Sequence, residues 1–76
     1  MFKYQAKKEL LHHSDIGSYT AYGITAFCVQ GTQEIEVSHI SDVFLNDKKA
    51  CDFAQSCTQY QLDPIHLMDV IQNALE

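Results

Sequence analysis

The sequence predicts an α+β domain: a three-stranded antiparallel sheet followed by two helices packed on one face, in the order β-β-β-α-α. Three observations predict it. Apolar and polar residues alternate with period two near the start of the chain. Two stretches rich in aromatic and β-branched residues follow, separated by a glycine turn. The last thirty residues then change to a helical spacing, with a cap residue ahead of each apolar stripe.

The first strand is expected over about 2–10, where Phe2, Tyr4, Ala6 and Leu10 alternate with Lys3, Gln5, Lys7 and Glu9. His12 to Ser18 is polar and holds turn residues, so it reads as a connection. The second strand covers about 19–29, and Gln30-Gly31-Thr32-Gln33 is a tight turn in which Gly31 can take a positive φ. The third strand covers about 34–45. Asn46 or Asp47 then caps a helix over about 47–61, with Ala50, Phe53, Ala54 and Cys57 on its buried face.

The final helix, about 64–75, is the best punctuated element. Asp63 suits the N-cap, and Pro64 fits the first helical position, where its missing donor costs nothing. Leu62 and Leu67 form a hydrophobic staple. At about 100° per residue, Pro64, Leu67, Met68, Ile71, Ala74 and Leu75 share one face, with His66, Asp69 and Asn73 opposite. A helix this short is marginal alone in water, so it must dock on the sheet.

With 76 residues the chain is read as one domain, 1–76, too short for a second core. A hydrophobic fraction of 46% argues for a folded domain rather than a disordered tail. The net charge of −5 and the absence of a basic face oppose phosphate-backbone binding. No apolar run approaches a membrane span and no signal-peptide core is visible, so a soluble cytoplasmic protein without membrane contact is expected. Three Cys at irregular spacings fit reduced thiols better than a disulfide framework.

If the hairpin turn centres on Gly31-Thr32, one sheet face holds Tyr22, Ile24, Ala26 and Cys28 against Ile35, Val37, Val43 and Leu45. That is the face the helices should cover. The other face then sets Tyr19 opposite Phe44, Gly23 opposite Ile40 and Phe27 opposite Glu36. The outer face of a one-layer sheet is normally polar, so Tyr19, Phe27, Ile40 and Phe44 form a candidate interface. Strand order is left open: the first strand pairs beside the second, burying the central strand, or beside the third.

Few constellations suggest chemistry. His66 and Asp69 lie three apart on a helix, a spacing that suits an Asp-oriented base or a metal ligand. The plainer reading is a surface pair, favoured because nothing nearby supplies a nucleophile or third ligand. Cys51 and Cys57 fall about 120° apart on their helix and do not converge on a metal. Cys57 and Cys28 read as small core residues, while Cys51 lies nearer solvent. His12, His13 and Asp15 read as solvated connection. His39 is placed on the core face opposite Ile24, hydrogen-bonded beside Ser41. No cofactor, catalytic residue or metal ligand is assigned, because no nucleophile, base and oxyanion donor can be assembled.

Two pieces, Tyr19-Thr20-Ala21-Tyr22-Gly23-Ile24 and the ending Leu62-x-Pro64-Ile65-His66-Leu67-x-Asp69-Val70-Ile71-x-x-x-Leu75, carry a resemblance. They resemble a family of small uncharacterised cytosolic proteins of Gram-positive bacteria, a domain of unknown function. The resemblance covers most of residues 19–75 and implies no activity, cofactor or catalytic residue. An acidic residue usually follows the Val-Ile pair in that family, whereas Gln72-Asn73 stands here.

The expected function is a non-enzymatic protein–protein interaction or regulatory module. It is expected to self-associate, as a homodimer, through the outer sheet face or an exposed strand edge, or else to bind another protein. The alternative is a small metal- or ligand-binding regulator using His66, Asp69 and nearby Cys or His residues. A DNA-binding strand-helix-helix dimer ranks last, since the strand lacks outward basic residues to read bases and no nucleic-acid partner is expected.

Overall fold

The structure, a computed structural model, describes residues 1–75; the Leu75 side chain, expected on the apolar face of the last helix, and Glu76 lie outside the described residues. Three antiparallel strands, β1 (Phe2–His13), β2 (Gly17–Gln30) and β3 (Gln33–Phe44), form a sheet in the order β1-β2-β3. Helix α1 (Asp47–Gln59) follows, then a 3-10 turn (Pro64–His66) and helix α2 (Leu67–Leu75). The fold is α+β, with β2 buried between its two neighbours.

β1 is longer than its alternation suggested. His12 and His13 continue the ladder against Ser18 and Gly17, so the polar connection shrinks to a tight hairpin closed by Gly17 at φ +80°. The β1–β2 register runs without interruption from Phe2↔Cys28 to His13↔Gly17.

The β2–β3 register does not, and this corrects the expected faces. Phe27 faces Glu36 and Cys28 faces Ile35, but Ala26 faces Ser38, which leaves Val37 as an extra residue on β3. A second irregularity separates Ile24↔Ile40 from Tyr22↔Phe44, with Asp42 held at φ +57°. Val37, a single extra residue, exchanges the two faces of β3, whereas the second irregularity sets residues 41–43 against Gly23, two extra, and keeps the exchanged faces. Ile40 therefore lies beside Ile24 and Phe44 beside Tyr22, both on the helix side and both packed on the core. Phe44 meets Phe53 of α1 with ring centroids 5.4 Å apart. His39 moves the other way, to the outer face opposite Thr25. Leu45, expected beneath the helices, is exposed.

The core joins Tyr4, Ile24, Ala26 and Val43 of the sheet to Ala54 and Cys57 of α1 and Leu67 and Ile71 of α2. Asn46 caps α1 by accepting from the Lys49 N–H at 3.0 Å. Asp63 accepts from the Ile65 N–H at 3.1 Å and starts the 3-10 turn. Leu67 is buried, while Met68 is half exposed, so α2 presents a narrower stripe to the sheet than its sequence offers. Burial raises the Tyr4 hydroxyl pKa to about 12, and the protonated hydroxyl donates to the Leu62 carbonyl, tying the α1–α2 connection to β1.

Candidate functional site

The four residues of the expected outer-face interface do not share a surface. Tyr19 and Phe27 are on the outer face, but Tyr19 donates its hydroxyl to Asp42 Oδ2 at 2.7 Å and Phe27 lies beneath the Lys7 ammonium, 5.7 Å from the ring centroid. Ile40 and Phe44 belong to the core side. His66 and Asp69 are both exposed, His66 in the 3-10 turn and Asp69 in the first turn of α2, and no ion pair joins them among the described residues. No three His, Cys, Asp or Glu side chains converge on a metal-sized site among the described residues. All three Cys are free. The Cys51 thiol donates to Asp47 Oδ1 at 3.3 Å, and this bond to a carboxylate raises its pKa, away from reactivity.

The outer face carries instead a polar network, of which the sequence indicated only the His39–Ser41 contact, observed at 3.1 Å. Glu9 of β1 reaches across β2, and its Oε1 accepts from the Asp42 N–H at 3.0 Å. Its Oε2 accepts from Ser41 Oγ at 3.0 Å and lies 3.3 Å from His39 Nε2. His39 Nδ1 is 2.7 Å from the hydroxyl of Thr25, a side chain with no solvent exposure. A glutamate from one edge strand thus caps the irregular backbone of the other. The span is open only because Gly23 lies beneath it. Chemically, a hydroxyl, an imidazole and a carboxylate are aligned, yet the hydroxyl is sealed from any substrate.

The Asp42 N–H bond is the main cause holding the Glu9 carboxyl below the ordinary glutamate value near 4.5. With the folded value the lower one, Glu9 contributes its full stability above the unfolded value. That contribution is lost as pH falls through the folded value. Stability is expected to decline on acidification below about pH 4.5, and Glu9→Gln, which keeps an acceptor for Asp42, should flatten that part of the profile. Urea midpoints at stepped pH would check this.

The second feature is the free edge of β1. Odd-numbered residues of β1 turn their backbone groups toward β2, as in the Val29 N–H bond to the Met1 carbonyl, so the even-numbered ones face outward. At two of these, α1 and its following turn supply side-chain partners. Gln61 accepts from the Phe2 N–H and donates to the Phe2 carbonyl, each at 2.9 Å. Thr58 accepts from the Tyr4 N–H at 2.9 Å. From Ala6 onward the helix draws away. The outward groups of Ala6, Lys8, Leu10 and His12 have no protein partner among the described residues. Where helix and strand part, Tyr4, Ala6, Cys51, Ala54, Gln55 and Thr58 line a groove of about 450 Å³. No sequence signal marks Thr58 or Gln61 as edge caps, because a helix of this composition reads the same wherever it docks.

The chain belongs to a family of unknown function (DUF6514), which matches it over residues 1–76. No curated protein and no solved structure matches the chain. No helix among the described residues is long and apolar enough to cross a membrane.

Proposed function

We propose that this chain is a non-enzymatic protein-interaction module that takes an extended segment as a fourth strand along the open half of β1. One observation carries the reading: the outward backbone groups of Phe2 and Tyr4 are filled by Gln61 and Thr58, while those from Ala6 to His12 are left unfilled on a long, regular strand. An unprotected edge is a template for strand addition, with main-chain bonds giving affinity and neighbouring pockets giving choice of side chain. The opposite edge is a poorer template, since β3 is broken by two irregularities. The sealed Thr25 hydroxyl supports a non-enzymatic role for the outer-face network. Three unpaired thiols and the family resemblance support a bacterial cytoplasmic setting.

Proline separates the edge from the face. The Lys8 N–H points away from β2, so Lys8→Pro removes an edge donor without taking a bond from the sheet. It is expected to abolish association with self or partner while the fold persists by circular dichroism. Phe27→Glu, on the outer face, should leave association unchanged. The reverse pattern would return the interface to that face and defeat the edge reading.

A further inference from the structure

We infer that the segment laid on this edge is the same edge of a second copy, paired antiparallel about a two-fold axis at Leu10. The inference rests on strand addition at β1 and names its occupant. A two-fold axis perpendicular to the sheet pairs an edge with itself, keeps each face on its own side, and sets one residue opposite itself. Centred on Lys7 or Lys8 it opposes lysine to lysine, and centred on Glu9 it opposes glutamate to glutamate. Like charges directly opposite are destabilising. Centred on Ala6, the second strand would run over Phe2 and Tyr4, where Gln61 and Thr58 already hold the edge.

Centred on Leu10, these conflicts disappear. Leu10 faces Leu10 of the second copy, Lys8 faces His12, Lys7 faces His13, and Glu9 faces Leu11. The outward N–H and C=O groups of Lys8, Leu10 and His12 all gain partners. Leu10, 80% exposed in the single chain, is covered by its own copy. Beyond Leu10 the overlap shortens, because β1 ends at His13. The product is one continuous sheet with three strands from each copy, and α1 and its following turn hold each β1 at Phe2 and Tyr4, away from the axis. The pairing consumes both β1 edges, so the assembly closes as a dimer rather than growing into a fibre.

Sedimentation equilibrium over a dilution series, with the wild type, Leu10→Lys, Lys8→Pro and Phe27→Glu, tests this. A wild-type dimer is expected, with Leu10→Lys raising the dissociation constant about tenfold or more, Lys8→Pro monomeric and Phe27→Glu unchanged. Should Leu10→Lys misfold, Leu10→Cys in a Cys28→Ser, Cys51→Ser chain provides a second readout. A short bismaleimide should join Leu10→Cys copies to each other and leave Ser14→Cys copies unjoined. A wild-type monomer at every concentration overturns the second-copy inference and leaves strand addition to be judged by whether Lys8→Pro loses a captured partner. A dimer that survives both Leu10→Lys and Lys8→Pro overturns the inference and the edge reading together.

Discussion

Leu67→Ala is expected to lower stability by about 2–5 kcal/mol, the range for emptying a fully buried leucine site. Leu67 opens α2 at 1% exposure and joins a core that also contains Tyr4, Ile24 and Cys57. At roughly 0.05–0.15 kcal/mol per residue, a chain of this length has about 4–11 kcal/mol in total, so the loss is a large share of it. Such a chain should melt at least about 10 °C lower. Met68→Ala, one position on and half exposed, should cost less than about 1 kcal/mol. Equal effects at the two positions would mean that α2 is not docked through Leu67.

Gly23→Ala is expected to cost about 1–3 kcal/mol, although it adds a single methyl group to a strand interior where alanine is ordinarily tolerated. A Cβ there would stand 2.8 Å from Glu9 Oε1, 2.9 Å from the Ile40 carbonyl oxygen and 3.0 Å from His39 Cε1. The Ile40 carbonyl is backbone and costs the same in any background, while Glu9 Oε1, the end of a flexible side chain, must leave the Asp42 N–H and release the irregular turn of β3. Adding Glu9→Ala to Gly23→Ala should therefore cost less than the sum of the two single changes, which a double-mutant cycle in urea would measure. Strict additivity would show that Gly23 does not serve the Glu9 span.

Much of the architecture was legible because local chemistry and fold agree. Asp63, Pro64 and Gly31 each have a conformational reason for their place, and the period-two and helical spacings separate the sheet from the helices. The faces of β3 were not legible. Alternation assumes one residue opposite one residue, and Val37 bears no mark that it will be extra. That single unknown moved Ile40 and Phe44 into the core side, brought His39 out to Thr25 and Glu9, and dissolved the outer apolar face. The open edge was legible only as a general property of sheets. Which half of it is filled depends on where α1 lies, and that is settled by packing between residues more than fifty positions apart, as in Tyr4 and Thr58.

The proposed self-pairing would also cover Leu10. Without it, Leu10 stands in solvent. The Glu9 network then gains a second consequence, because it braces the strand that receives the partner against β3.

The most direct measurement is residue-resolved amide hydrogen exchange by NMR along β1, on concentrated and on diluted protein. Lys3, Gln5 and Lys7 point into the sheet and should be protected at both concentrations. Lys8, Leu10 and His12 should be protected in the concentrated sample and exchange freely on dilution. Free exchange at these three amides at every concentration, with and without added cell extract, would contradict strand addition at β1.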